Sequence, residues 1–315
     1  MAETSCQYEF TGLDRLKLFW ALSRTPHGLL DMSTAALASL LWLGDFPSLK
    51  IIMLGLITVF AGYTAVYALN DVVGYRSDKK KLQQGNLRGV DDCQDLDAML
   101  VRHPMARGLL SFKEGLVWSV AWGLLALAGA YLLNPICVLI FVGGCILEII
   151  YCCMWNVSPS RTIVSGVVKA AGPIAAVFAV DPNPSVSYLV VLFLLLFFWE
   201  IGGQNVPNDW IDLQEDVRFG ARTIPIRFGL EQANIIIFGS IMLTLILSGV
   251  LLTLSALNFG IPFIIGFALV GFYFLLLPTI TLFRTDQSSH AMILFNKASY
   301  YPLAMLVVVV IKLIF

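Results

Sequence analysis

Nine long stretches of apolar residues dominate this chain and leave few folds open to it. Each has about 20 residues, the length that an α-helix needs to cross a bilayer. They occupy residues 22–43, 49–69, 110–132, 135–155, 163–181, 187–206, 231–256, 260–283 and 292–314. Only 13% of the 315 residues are charged, whereas soluble proteins average about 25%. We predict an all-α polytopic membrane protein with nine transmembrane helices in a single domain, residues 1–315.

The basic residues between these stretches fall on one side of the predicted membrane. Segments 71–113 and 207–230 are rich in Lys and Arg. The turns on the other side contain neither residue type, and they lie near 44–48, 133–134, 182–186 and 257–259. Because basic connections remain cytoplasmic, we expect the N-terminus in the cytoplasm and the C-terminus across the lipid bilayer. A net charge of −1 argues against a nucleic-acid partner.

Two similar polar segments follow the second and sixth apolar stretches. Each holds an Asn-Asp pair and further Asp residues, namely Asn70-Asp71 with Asp78, and Asn208-Asp209 with Asp212 and Asp216. We expect both segments in cytoplasmic loops, at about 71–109 and 207–229. Carboxylates with water and substrate phosphate suit Mg²⁺, so two facing sets can hold a diphosphate through bridging metal ions. A simpler interpretation is that these acids are solvated and pair with nearby Lys and Arg, but two matched sets favour a site.

The spacing of the acids places each set on one face if the preceding helix continues through it. Asp71 and Asp78 are seven residues apart, about 20° around a helix axis, and Tyr67 extends this face into the membrane. The second set follows the spacing i, i+3, i+7, at Asp209, Asp212 and Asp216. Glu200 and Asn208 form a neighbouring polar stripe. Polar side chains at membrane depth normally face a cavity, so we predict a central cavity open to the cytoplasmic side.

Several further motifs resemble those of the UbiA superfamily of intramembrane prenyltransferases, and the resemblance covers nearly the whole chain. They are an Asn-Asp-x-x-Asp-x-x-x-Asp element at Asn70, a basic-Pro-x-x-x-Gly-x-x-Ser run from His103, a Gly-x-x-Thr-x-Pro run from Gly220, and an Arg-x-Pro element at Arg24. The resemblance implies Mg²⁺-dependent transfer of an isoprenyl chain from a polyprenyl diphosphate to a small acceptor. The diphosphate leaves, an allylic carbocation forms, and an electron-rich acceptor captures it.

The resemblance also implies roles for individual residues. The implied metal ligands are Asn70, Asp71, Asp78, Asp209, Asp212 and Asp216, and the five aspartates among them are also the candidate catalytic residues. The candidate substrate-binding residues are Asn70, Asn208, Arg24, Arg107, Arg161, Lys169, Glu200 and Tyr67. Arg24 and Arg107 are equally well explained as residues that only follow the bias of basic residues toward the cytoplasm.

The chain departs from the family pattern at two places. Gly74 stands where the family has the middle Asp of the first element. Either Asp71 takes the place of that Asp, or fewer carboxylates hold the first metal. After the fourth span, Arg161 keeps the cation of the family pattern, and the nearest Lys is Lys169, inside the fifth span.

Lys169 and the acids inside the spans admit more than one interpretation. Lys169 either reaches the diphosphate or pairs with Glu148 or Glu200. Glu200 suits acceptor binding or proton removal, and Asp31 has no assigned role. The histidines do not cluster in sequence, which argues against a metal–histidine site; they are His27, His103 and His290.

Three functions are compatible with these features. The first is transfer of the isoprenyl chain to an aromatic quinone precursor. The second is a terpene cyclase of the same fold, in which the cation is quenched internally; a product cyclised without any acceptor would distinguish it. The third is an ion-coupled secondary transporter, which would take up a solute into vesicles. The acids gather at one membrane face and not at the midplane where carriers bind substrate, which disfavours the transporter. The sequence leaves the oligomeric state unknown.

Overall fold

The computed structural model describes residues 13–83 and 100–315, and no strand occurs among them. The helices are α1 (Leu13–Leu22), α2 (Thr25–Leu43), α3 (Leu49–Gln83), α4 (Phe112–Leu133), α5 (Pro135–Cys153), α6 (Arg161–Val180), α7 (Val186–Trp199), α8 (Val206–Ile211), α9 (Leu213–Arg218), α10 (Ile224–Phe228), α11 (Leu230–Leu254), α12 (Ile261–Gly271), α13 (Leu277–Thr285) and α14 (Ser288–Ile314). Short π-helical segments, Glu200–Asn205 and Phe272–Leu276, join α7 to α8 and α12 to α13.

Eight helical segments among the described residues are long and apolar enough to cross a membrane. They are α3, α4, α5, α6, Val186–Ile211, α11, Ile261–Thr285 and α14. These match eight of the nine predicted spans. The other predicted span corresponds to α2, which packs in the same bundle against α6 and α14. α2 is more polar because it buries His27, Asp31 and Thr34, and its passage through the membrane remains a prediction.

The first polar segment begins as a helix, which corrects the predicted loop at 71–109. α3 continues without a break through the first Asn-Asp element and ends at Gln83. Lys80 and Lys81 in its last turn favour this extension, because cations interact well with the negative end of the helix dipole. Residues 84–99 of the predicted loop lie outside the described residues. The chain is helical again from Phe112, where Ser111 and Glu114 form a capping box.

The second polar segment is also largely helical, where a loop at 207–229 was expected. α8 continues the sixth predicted span, and the chain then bends at Asp212, whose backbone has φ −89° and ψ 7°. Gly220 and Gly229 have φ values of 70° and 85°. Glycine adopts this conformation at little cost because it has no Cβ. These two glycines therefore allow the sharp turns before and after α10.

The π-helical segment between α7 and α8 lies in the middle of the bundle, and all six of its residues are buried. A Cβ added at Gly202 would lie 2.8 Å from Cβ of Ser240 on α11, and one added at Gly203 would lie 2.8 Å from Cβ of Ala298 on α14. Both distances are too short for a real side chain. The two glycines thus permit α11 and α14 to pack directly on the segment that carries Glu200.

One side of the bundle is closely packed, and the other side encloses a cavity. Trp199 and Tyr188 are fully buried on α7, which packs against α6 and α11. Their polar atoms are satisfied, because Tyr188 Oη donates to the Ala38 carbonyl at 2.7 Å and Trp199 Nε1 donates to the Ala298 carbonyl at 3.0 Å. The cavity is bounded by α2, α3, α5 and α6, and it contains the candidate site.

Candidate active site

A cavity of about 730 Å³ lies between α2, α3, α5, α6 and the α7–α9 segment. Binding sites for small molecules have volumes of about 300–1,000 Å³. The acidic side chains that line it are Asp31, Asp71, Asp78, Glu148, Glu200, Asp209, Asp212, Glu215 and Asp216. The Lys and Arg side chains that line it are Arg24, Lys81, Arg102, Arg161 and Lys169. The acids outnumber these cations, so the cavity can accept additional positive charge.

The first carboxylate set lies on α3 and faces His103. Asp71 and Asp78 are on one face of the helix, as their spacing predicts. The Nδ1 atom of His103 lies 3.6 Å from Oδ1 of Asp71 and 3.2 Å from Oδ2 of Asp78. Nη2 of Arg24 lies 3.8 Å from the same oxygen of Asp71. The structure therefore brings two predicted ligands together with a histidine that sequence reasoning treated only as part of a basic motif.

The surroundings of His103 favour its charged form. Burial opposes that charge, but the carboxylates of Asp71 and Asp78 outweigh it and raise the pKa of His103 above its ordinary value. The backbone of His103 has φ 50°, which is unusual for a residue with a side chain. The short turn that follows holds it in place, since the Arg107 amide donates to the His103 carbonyl at 3.1 Å.

The second carboxylate set lies on α8 and α9 and is more deeply buried. Nη2 of Arg161 donates to Oδ1 of Asp209 at 3.1 Å and to Oη of Tyr151 at 2.8 Å. The other oxygen of Asp209, Oδ2, is buried and has no hydrogen-bond partner among the described residues. Asn208 donates to Asp212 at 3.3 Å. An unpartnered buried carboxylate oxygen is costly, and a metal ion would satisfy it.

Asp216 completes the second set. Burial first, and the nearby Asp209 second, raise the pKa of Asp216 to about 7. Lys81, at the end of α3, lies 2.8 Å from Oε1 of Glu215 and 4.0 Å from Oδ1 of Asp216. The Lys81 ammonium also lies 4.2 Å from the centroid of the Trp155 ring. This lysine therefore links the helix of the first set to the helix of the second.

A third cluster of charges lies deeper in the bundle. Nζ of Lys169 donates to Oδ2 of Asp31 at 2.7 Å and lies 3.7 Å from Oε2 of Glu200. Oη of Tyr67 donates to the same Asp31 oxygen at 2.5 Å. Ser165 donates to the other oxygen of Glu200 at 2.6 Å. Pairing of Lys169 with Glu200 was one of the expected alternatives, whereas Asp31 is a partner that the sequence did not reveal.

The expected roles of Glu148 and Arg107 are different in the structure. Glu148 accepts a hydrogen bond from the Asn70 amide at 2.6 Å, so Glu148 orients Asn70 and does not pair with Lys169. Arg107 is half-buried but is not among the described residues that line the cavity, where Arg102 lies instead. The motif that includes Arg107 packs through Met105, which is 2% exposed. The turn thus directs His103 toward the cavity and leaves Arg107 outside its lining.

The remainder of the cavity is apolar and extends along the membrane-spanning helices. On α3 its lining runs from Ile51 to Lys81, and on α6 it continues to Val180. Many of the lining residues are small, namely Gly55, Gly62, Gly144, Ala171, Gly172, Ala175, Ala176 and Ala179. At 1.5 Å per helical residue, the stretch of α3 is roughly 45 Å long. The cavity thus joins a charged end to a long apolar end.

The donor groups fit divalent cations at the charged end. Ligand atoms of Asp71, Asp78 and His103 all lie within 4.8 Å of one another. The second set offers the unpartnered Oδ2 of Asp209, with Asp216 nearby. Carboxylate oxygens are suitable ligands for Mg²⁺. Both predicted sets of ligands are therefore close enough to one cavity to serve one substrate.

Comparison with known proteins finds a family match. A model of the UbiA prenyltransferase family matches residues 32–301. The chain is 24% identical over 217 residues to a digeranylgeranylglyceryl phosphate synthase of Thermococcus kodakarensis, which covers 69% of this chain and 71% of that protein. It is 27% identical over 219 residues to a 4-hydroxybenzoate octaprenyltransferase of a Shewanella species, covering 68% and 69%.

A solved structure shows the same fold. A UbiA homologue from Archaeoglobus fulgidus, bound to DMAPP and Mg²⁺, matches with a TM-score of 0.65 and 18% sequence identity, over 92% of this chain and 99% of that one. The predicted all-helical fold class is confirmed. Because the family match spans most of the sequence, the chain belongs to the UbiA prenyltransferase family, and its predicted class as a prenyltransferase is confirmed.

Proposed function

We propose that this protein transfers an isoprenyl chain from a polyprenyl diphosphate to a small acceptor, in a Mg²⁺-dependent reaction. The observation that carries the proposal is one cavity with two carboxylate sets at its charged end and small apolar residues along the rest. A diphosphate with a hydrophobic tail has the same division between a charged and an apolar part. The Archaeoglobus homologue, bound to DMAPP and Mg²⁺, supports the choice of substrate and metal.

The charged end would hold the diphosphate. We assign as the metal ligands the carboxylates of Asp71, Asp78, Asp209, Asp212 and Asp216, together with the amide oxygen of Asn70. Asn208 also lines this end, and we assign it to substrate binding. Mg²⁺ bound by these groups would neutralise the charge that develops on the departing diphosphate. Arg24, Arg102 and Lys81 line the same end and place further positive charge near the phosphate oxygens.

The reaction breaks the bond between the allylic carbon and the diphosphate oxygen, and the electron pair leaves with the diphosphate. The allylic carbocation then faces an aromatic wall. The ring centroids of Tyr63 and Tyr67 are 6.4 Å apart, and Phe295 also lines the cavity. Aromatic faces attract cations, and a buried apolar wall keeps water away from the carbocation. These rings would therefore protect the cation until the acceptor reaches it.

The acceptor forms a new bond to the carbocation and then loses a proton. We assign proton removal to Glu200, whose Oε2 atom is buried and accepts no hydrogen bond from the described residues. Lys169 and Asp31 lie beside it and can bind polar groups of the acceptor. We propose an aromatic quinone precursor as the acceptor, and the similarity to a 4-hydroxybenzoate octaprenyltransferase supports this choice.

The same proposal includes a membrane orientation. The bias of Lys and Arg supports an orientation with the N-terminus and both carboxylate sets in the cytoplasm and the C-terminus on the opposite side. Residues 1–315 then form one membrane-embedded domain, with the charged end of the cavity open to the cytoplasm. Protease or thiol-labelling access at each side of sealed vesicles tests this orientation.

The reaction is tested by diphosphate release from purified protein in detergent. The protein receives a labelled polyprenyl diphosphate and Mg²⁺, with and without a panel of aromatic acceptors, and EDTA serves as the control. Release that requires one acceptor supports the transferase and identifies its acceptor. Release without acceptor supports the terpene cyclase. This alternative is tested because Gly74 stands where the family pattern has an Asp. No release for any chain length and acceptor contradicts both.

A further inference from the structure

The first carboxylate set lacks one ligand that the second set keeps. On α3, Asn70, Asp71, Gly74 and Asp78 line the cavity. A Cβ added at Gly74 would lie 3.2 Å from Oδ2 of Asp78, with no other atom closer. A side chain at this position would therefore point at the same oxygen that a metal ion would bind. Because Gly74 has no side chain, that space is open to a ligand from another part of the chain.

His103, from the segment after α3, lies close to the same oxygen of Asp78. Its Nδ1 atom lies 3.2 Å from Oδ2 of Asp78, the oxygen next to the Gly74 position, and 3.6 Å from Oδ1 of Asp71. The three ligand atoms lie within 4.8 Å of one another. Nδ1 is buried, and its geometry satisfies no hydrogen bond to either carboxylate. The nitrogen thus faces two oxygens at distances that a shared metal ion would bridge.

The backbone around His103 holds the ring in this position. His103 has φ 50°, a conformation that persists only where the surrounding structure enforces it. The next residues form a compact turn, in which the amides of Leu109 and Leu110 donate to the Pro104 carbonyl at 3.0 Å and 3.3 Å. Met105 is buried in this turn beside Gly115. The imidazole is therefore presented by a well-packed segment.

We infer that His103 is a ligand to the divalent cation at the first carboxylate set, where it takes the place left empty by Gly74. Metal binding requires the neutral imidazole, so the incoming cation would displace a proton from His103. The site then offers two carboxylates and one imidazole nitrogen. Mg²⁺ prefers oxygen ligands, whereas later first-row divalent metals bind imidazole nitrogen more tightly. We therefore expect the first site to bind Mn²⁺ more tightly than Mg²⁺. The inference rests on the proposed function only in placing a divalent cation at this set.

The test measures metal binding without any prenyl substrate. Mn²⁺ is titrated into the purified full-length protein in detergent and followed by electron paramagnetic resonance. Pulsed measurements on the bound Mn²⁺ detect hyperfine coupling to a directly bound nitrogen. We expect this coupling in the wild-type protein. We expect His103→Gln to abolish this coupling. The same substitution should weaken Mn²⁺ binding at the first site by roughly tenfold, a loss of affinity that is common when residues around a metal site are replaced.

Two variants keep the test specific. His290→Gln is the matched control and should change neither measurement. His290, in the first turn of α14, contacts Thr285 at the end of α13 and is not among the described residues that line the cavity. Gly74→Asp combined with His103→Gln should restore binding without nitrogen coupling and shift the preference toward Mg²⁺. Among the described residues, a Cβ at position 74 would meet only the end of the Asp78 side chain within 4 Å, so this protein should fold.

The outcomes separate the inference from the proposed function. Bound Mn²⁺ without nitrogen coupling, or unchanged affinity in folded His103→Gln, overturns the role of His103 and leaves prenyl transfer in place. A wild-type protein that binds no divalent cation contradicts both the role of His103 and the proposed metal dependence. Size-exclusion profiles and circular dichroism establish that each variant is folded before its binding is compared.

Discussion

The two carboxylate sets have similar sequences but different structures. Asp71 and Asp78 lie on one uninterrupted helix and share a histidine, which approaches from a separate segment. Asp209 and Asp216 lie on two short helices joined by a bend, and their nearest cations are Arg161 and Lys81. The difference teaches that a repeated Asn-Asp pattern predicts the same kind of ligand set in both segments. The pattern does not predict which neighbouring residues complete each set.

The largest effect is expected from removing carboxylates of the second set. Asp209→Ala and Asp216→Ala should each lower turnover by on the order of a thousandfold, because each removes charge stabilisation at the departing diphosphate. Both proteins should remain folded. Diphosphate release under saturating Mg²⁺ provides the measurement, and Asp45→Ala, at an exposed position outside the cavity lining, is the control. Wild-type rates in both variants would show that the second set is not the metal site.

Removal of Arg161 tests whether the second set depends on its buried cation. Arg161→Met leaves the Asp209 carboxylate buried without its partner, which costs about 3–5 kcal/mol of stability for pairs of this kind. We expect a clearly lower unfolding temperature in detergent and a loss of activity. Arg161→Lys should recover part of both. A melting curve of the Met variant identical to that of the wild type would contradict a stabilising pair.

The pKa of Asp216 predicts how metal affinity depends on pH. Burial and Asp209 raise this pKa to about 7, so the carboxyl is protonated in the metal-free protein below that pH. Metal binding requires the carboxylate, and Mg²⁺ affinity should therefore fall by up to about tenfold per pH unit below the pKa. The Mg²⁺ concentration for half-maximal activity, measured between pH 6 and 8, checks this. A flat profile would contradict the raised pKa.

A substitution at Lys81 tests the electrostatic contribution to the pKa of Asp216. Its ammonium lies 4.0 Å from Asp216 and lowers the pKa of that carboxyl. Lys81→Met should therefore raise the pKa of Asp216 further and move the midpoint of the Mg²⁺ profile to higher pH. Lys79→Met, on the same helix but outside the cavity lining among the described residues, should leave the midpoint unchanged. A shift in the Lys79 variant alone would contradict this electrostatic account.

The smallest effect distinguishes two neighbouring arginines near the first set. Arg102 lines the cavity, whereas Arg107 is not among its described lining residues. Arg102→Ala should raise the KM for the polyprenyl diphosphate about fivefold, the effect of losing roughly 1 kcal/mol of binding energy. Arg107→Ala should change it by less than about twofold. The opposite order would restore Arg107 as the substrate contact that the motif suggests.

The sequence was sufficient for features that depend on local spacing. Apolar stretches of helical length predicted the spans, and the seven-residue spacing of Asp71 and Asp78 predicted their common face. It could not predict contacts between distant segments. Asp31 and Lys169 are 138 residues apart, and His103 returns to α3 only after a polar segment without helical periodicity. No periodic pattern connects such residues, since their contact depends on how the whole bundle packs.

The glycines of the π-helical segment have a consequence for how variants of this protein should be understood. Gly202 and Gly203 touch no substrate group in the proposed reaction, yet a methyl group at either position would collide with α11 or α14. An alanine there would push those helices away and displace the adjacent Glu200. Loss of activity in variants at these positions would therefore indicate that the π-helical segment, α11 and α14 must pack closely. A screen for inactive variants would thus identify residues that matter because they have no side chain.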